Sequence, residues 1–98
     1  MFCGNDQIAR GVIDALRERG VRVPADVAVV GYDNWEIMAN ETRPPLSSVD
    51  MNLRELGRQA GLTLLAVING EEVAPGIKTL PCILRVRQSS GRPATRAE

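Results

Sequence analysis

The sequence contains no histidine, three aromatic residues, two cysteines and no charge excess of either sign. Each shortage excludes something. Without histidine there is no imidazole to act as a general base near neutral pH. It also removes the commonest partner for cysteine in a zinc site, and Cys3 and Cys82 stand far apart in the chain. Zinc ligation is therefore not expected, and no cofactor is implied. Twelve Lys and Arg balance twelve Asp and Glu. A surface that grips DNA through its phosphates carries a basic excess, so the chain is not expected to bind DNA by itself. The apolar stretches fall far short of a membrane span, and the N-terminus lacks the regions of a signal peptide. Two unpaired thiols, read as buried, point to a reducing cytoplasm. The aromatics are Phe2, Tyr32 and Trp35, so the core must be aliphatic. At 98 residues the chain suits one small domain, and one that buries only about two-thirds of its unfolded surface.

What is present reads as alternating strands and helices. Met1-Phe2-Cys3-Gly4 resembles the stub of a buried strand. Asn5-Asp6 offers an N-cap pair, followed by Ile8, Val12, Ala15 and Leu16 at helical spacing. Arg10, Asp14 and Arg17 lie opposite, where Asp14 can pair with either arginine, and Gly20 ends the helix. Val27 to Val30 is apolar throughout, as in a strand covered on both faces of a parallel sheet. Trp35 to Ala39 suits a short helix, which Arg43-Pro44-Pro45 stops. Leu46 to Val49 reads as extended. A long helix is predicted from near Asn52, with Asn52 and Glu55 as a capping box and Asn69-Gly70 as its end. Leu53, Leu56, Ala60, Leu64 and Val67 share one face. Gly57 and Gly61 on it would allow close packing against a sheet. Ile77–Leu80 and Ile83–Val86 read as extended around Pro81, and Ser89 to Glu98 as a loose tail.

Gly4-Asn5-Asp6-Gln7 and Gly31-Tyr32-Asp33-Asn34 each follow a strand, and ligands of open α/β sheets bind at the carboxyl ends of strands. A carboxylate accepts from two neighbouring hydroxyls and an amide both donates and accepts. Those are the groups a sugar or nucleoside site needs. Asn5 reads equally as a helix cap or a ligand contact. Asp33 reads as a ligand contact, with a plain turn residue as the alternative. Trp35 either stacks on a sugar face or, as preferred, anchors a protein contact. No nucleophile is paired with a base, and no phosphate-binding glycine loop occurs.

Gly4-Asn5-Asp6-Gln7-Ile8-Ala9-Arg10-Gly11 and Val23-Pro24-Ala25-Asp26-Val27-Ala28-Val29-Val30-Gly31-Tyr32-Asp33-Asn34 together resemble the LacI/GalR family of bacterial transcription regulators. Pro44-Pro45-Leu46-Ser47-Ser48-Val49, Leu56-Gly57, Leu80-Pro81 and Leu84 with Arg87 and Ser89 extend the match from Phe2 to about Ser90. The resemblance implies an α/β fold, a partial periplasmic-binding-protein-like core with a parallel sheet and flanking helices, truncated. Residues 1–46 would belong to the C-terminal subdomain. Residues 47–76 would hold a crossing and a helix of the N-terminal subdomain, residues 77–90 returning strands, and residues 91–98 a flexible tail. It also implies a non-enzymatic sensor of a small-molecule effector, such as a sugar, contacted by Asn5 and Asp33. It implies a homodimer or higher oligomer with Arg10, Trp35 and Ile37 near the interface. The DNA-binding head and half of the ligand cleft are missing from the pattern, so a complete effector site is not expected within one copy. A fragment of a periplasmic sugar-binding receptor is the alternative. The wide apolar face of the long helix then has no partner within the chain, and a stable monomer is not expected.

Overall fold

The computed structural model describes residues 1–91. Their elements run α1 (Asp6–Glu18), β1 (Val30–Tyr32), α2 (Glu36–Glu41), β2 (Ser47–Asp50), α3 (Leu53–Ile68), β3 (Ile83–Arg85) and a 3-10 turn (Gln88–Ser90). The sheet order is β1-β2-β3. β1 and β2 are parallel, with Gly31 opposite Ser48, and β3 joins β2 antiparallel, with Leu84 opposite Val49. Phe2 adds a parallel bridge to Val30 on the open side of β1. The expected parallel pairing is therefore present, and the returning strand makes the sheet mixed.

α1 begins where its chemistry says it should. The Asn5 side chain accepts from the Ile8 N–H at 2.8 Å, satisfying one orphan donor of the first turn. Its buried stripe is Asp6, Ala9 and Ile13, with Val12 and Leu16 packed beside it. Ile8, expected inside, is 53% exposed. The true stripe is offset by one residue and begins on a carboxylate, which apolar spacing cannot reveal. The core is aliphatic as expected: Cys3, Ala9, Ile13, Val29, Ala39 and Leu46. Only Cys3 of the two thiols is buried, since Cys82 is exposed. Burial pushes the Cys3 thiol pKa up.

Four further expectations are corrected. Of the run Val27–Val30, only Val30 enters a strand, and Ala28 is exposed beside buried Val29. The Val29 amide instead donates to the Ser89 carbonyl at 2.8 Å. Ile77–Leu80 forms no strand. Asn52 does not build a capping box, because its backbone is left-handed at φ 58° and its side chain caps nothing. The Asn52 N–H that Glu55 would have accepted goes to Asp50 Oδ1 at 2.8 Å, and Glu55 binds Arg58 and Gln59 instead. Finally, Ser89 is not part of a loose tail. It is fully buried, and the remainder of that expected tail, residues 92–98, lies outside the described residues.

α3 is different in kind. Among the described residues none of its sixteen is buried. Leu56, Ala60, Leu64 and Val67 line a concavity of about 420 Å³ together with Lys78 and Leu80. Nothing lies within 4 Å of a Cβ built on Gly57 or Gly61, so the close packing expected of these glycines does not occur within the chain.

Candidate functional site

The two polar loops leave the same edge of the sheet. Met1–Cys3 runs beside β1, with the Cys3 N–H donating to the Val30 carbonyl at 2.8 Å. Both segments therefore end at the edge that carries Asn5 on one loop and Asp33 on the other. Asp6 ties the loops together. Its Oδ2 accepts from the Trp35 N–H at 2.8 Å and its Oδ1 from the Ser48 hydroxyl at 2.6 Å. Asp6 is 1% exposed and, among the described residues, has no cation in contact. These two hydrogen bonds satisfy both oxygens of the side chain at the N-terminus of the thirteen-residue α1. Gly31 makes room for it. A Cβ at Gly31 would run into Asp6 Oδ1 and lie 2.9 Å from Leu46 Cδ2.

The second loop has an unusual backbone. Asp33 and Asn34, neither of them glycine, sit at φ 111° and 51°. Conformations of this kind cost of order 1–3 kcal/mol each and persist when their surroundings over-determine them. Here three successive backbone donors are held from outside the loop. The Asp33 N–H donates to the Val49 carbonyl at 3.0 Å, the Asn34 N–H to Ser48 Oγ at 2.9 Å, and the Trp35 N–H to Asp6. The Asn34 side chain is held as well, accepting from Arg87 Nη2 at 2.8 Å.

The expected site residues fall as follows. The Asp33 side chain is exposed and has no hydrogen-bond partner among the described residues. Asn5 uses its Oδ1 as the cap, which leaves its NH2 group for other work, so capping does not compete with a ligand contact. Trp35 is half exposed, and Ile37 and Arg10 are exposed. Asp14 pairs with Arg17 at 2.8 Å, leaving Arg10 out. The Tyr32 phenol lies 4.0 Å from Cys82 Sγ, and that contact holds its pKa above the ordinary value. Asn5 and Asp33 share an open edge and not a cavity. Among the described residues no cluster of His, Cys, Asp and Glu could hold a metal, and no helix is long and apolar enough to cross a membrane.

Sequence reasoning took Asp6 for half of a cap and overlooked the serine junction. Ser47 Oγ meets the Arg87 amide at 2.6 Å and Ser90 Oγ at 2.6 Å. Ser89 Oγ donates to the Val29 carbonyl at 2.6 Å and accepts from the Ser47 amide at 2.8 Å. The signal available in the sequence was the placement of Ser47-Ser48 and Ser89-Ser90 beside apolar segments, and it does not say which serine meets which.

Residues 1–90 match the periplasmic binding protein-like domain family. The NTD biosynthesis operon regulator of Bacillus subtilis (strain 168) is 36% identical over 91 residues, which are 92% of this chain and 27% of that protein. A lac repressor dimer bound to operator and the anti-inducer ONPF superimposes with a TM-score of 0.83 at 37% identity, covering 94% of this chain and 32% of that one. The complex of the transcriptional regulator CelR with cellobiose gives 0.79 at 38% identity, covering 90% and 27%. The chain thus spans about a quarter to a third of the proteins it matches. The chain belongs to the periplasmic binding protein-like domain family, and the proteins it resembles include transcription regulators.

Proposed function

We propose that this chain is the effector-sensing and dimerising part of a LacI-type regulator, and that its effector is a sugar or a related polyhydroxylated molecule. It acts by binding and not by catalysis. Residues 1–46 belong to one subdomain of the sensor, residues 47–76 cross to a helix of the other, and residues 77–90 return. The closely packed first fifty residues and the uncovered α3 support that division. Asn5 and Asp33 face the effector. Arg10, Trp35 and Ile37, all exposed, lie at a subunit contact, with Trp35 close enough to the loop to meet a sugar face as well. A net charge of zero leaves phosphate contact to other parts of a regulator.

One observation carries this reading. The Asp33 side chain is exposed, without a hydrogen-bond partner among the described residues, on a strained backbone whose neighbouring amides are all held in place. A fold that maintains such a conformation keeps an acceptor side chain at the carboxyl end of β1. The complex of CelR with cellobiose shows that a similar protein takes a sugar. Calorimetry of the intact protein against pentoses, hexoses, disaccharides and nucleosides identifies the effector. Asp33→Ala then weakens binding by about 2 kcal/mol or more, through loss of charge-assisted bonds to hydroxyls. Unchanged affinity in that variant removes Asp33 from the site.

A further inference from the structure

We infer that Arg87 is a positioning residue for the Asp33–Trp35 loop, locking its left-handed backbone from 53 residues away in the sequence. The inference rests on the effector reading only for its consequence in binding. The mechanics stand on geometry alone.

The Arg87 guanidinium forks. Its Nη2 donates to Asn34 Oδ1 at 2.8 Å and its Nη1 to the Leu46 carbonyl at 2.8 Å. One planar group therefore joins the loop after β1 to the residue just before β2. A lysine offers a point charge and cannot span both acceptors. Arg87 is itself fixed. Its amide meets Ser47 Oγ at 2.6 Å, and the Ser89 amide two residues on donates to the Pro45 carbonyl at 2.9 Å. The fork thus stands on a rigid base and reaches across to a strained loop.

The other supports of the loop act on backbone donors, from Val49, Ser48 and Asp6. Among the described residues, Arg87 alone holds a loop side chain by a hydrogen bond. Asn34 is the second of two successive positive-φ residues, so gripping its side chain resists rotation of the loop toward an ordinary β turn. Such a rotation would swing the Asp33 carboxylate away from the sheet edge. Arg87 acts on the position of Asp33 through Asn34.

The deciding experiment needs no effector. Amide hydrogen exchange of the intact protein compares Asn34 and Trp35 with Ala9 and Ile13 in the core. In Arg87→Lys, exchange at Asn34 and Trp35 rises about tenfold while Ala9 and Ile13 stay as they were, because the loop opens locally. Adding Asn34→Ala to Arg87→Lys then changes little, since both remove the same contact. Should Arg87→Lys fail to fold, Asn34→Ala alone gives the same local rise. Exchange at Asn34 and Trp35 that is unchanged, or that rises in step with Ala9 and Ile13, overturns the inference. Calorimetry with the same sugar and nucleoside panel separates the two readings. If Asp33→Ala loses affinity and Arg87→Lys does not, the positioning role falls and the effector reading stands. If exchange rises locally while Asp33→Ala binds normally, the lock stands and the effector reading falls.

Discussion

Residues 1–50 and residues 51–82 use similar amounts of apolar sequence to opposite ends. The first segment supplies nearly all of the buried side chains, joined only by Ser89 from the chain's end. The second contains the longest helix and buries none of it. The radius of gyration is 18.2 Å and the long dimension 60 Å, against about 13 Å for a compact chain of this length. Patterning alone does not bury a helix. Leu53, Leu56, Leu64 and Val67 form as regular a stripe as anything in α1, yet each is about half exposed. What separates the two regions is the presence of a second surface at the right distance. α1 meets β1 and Leu46, whereas the apolar stripe of α3 faces the irregular segment around Lys78 and Leu80.

The contrast predicts unequal responses to the same kind of change. Gly31→Ala places a methyl against Asp6 Oδ1 and Leu46 Cδ2, where neither the buried carboxylate nor the core can retreat. It should cost about 3 kcal/mol, read as a lowered urea midpoint. A midpoint within experimental scatter of the parent would show that the first region is looser than its contacts suggest. On α3 the expected defect lies in association. Leu64→Asp should leave the first region folded but shift a self-associated chain toward monomer. A buried leucine at an interface contributes about 2 kcal/mol, or roughly thirtyfold in dissociation constant. Light scattering over a dilution series checks this, and a well-folded monomer at every concentration in the parent itself would show that the exposed face needs no cover.

A smaller effect of opposite sign follows for Gly61→Ala. In the uncovered helix it should stabilise by somewhat less than about 1 kcal/mol, through helix propensity alone. Destabilisation in its place would reveal a partner surface pressed against that glycine. The smallest effect concerns acid. The Asn52 amide, and after it Arg85, hold the Asp50 carboxyl below its ordinary pKa. A folded-state pKa that is depressed adds stability above the unfolded value and loses it as pH falls through the folded one. Asp50→Asn should therefore flatten the loss of stability below the usual carboxylate range, measured by thermal melts across that range, and an unchanged acid slope would assign it to other carboxylates.

Local chemistry was readable in the sequence. The Asn5 cap, the stop at Pro44-Pro45, the end of α3 at Asn69-Gly70 and the extended Ser47–Val49 each depend on residues within a few positions, and each appears in the structure. Both polar loops were found as well. The support beneath them was not. Asp6 meets Trp35 and Ser48 from 29 and 42 residues away, and Arg87 meets Asn34 from 53. No periodicity encodes pairings that distant. Asn52 misled for a related reason, since the Asp50 side chain took the donor that a capping box requires.

The position of Ser89 bears on how the protein is made. Its hydroxyl and backbone complete the hydrogen bonding of Val29, Pro45 and Ser47, so an earlier segment closes around one synthesised later. Translation adds about 5–20 residues per second. The 42 positions between Ser47 and Ser89 therefore impose a wait of about 2–8 seconds at that pace. During that interval the nascent chain holds the carbonyls of Val29 and Pro45 without their final donors and partners. Folding that depends on so distant a closure is slow compared with helix formation, and the groups it leaves open in the ribosome-bound intermediate are the kind that chaperones meet.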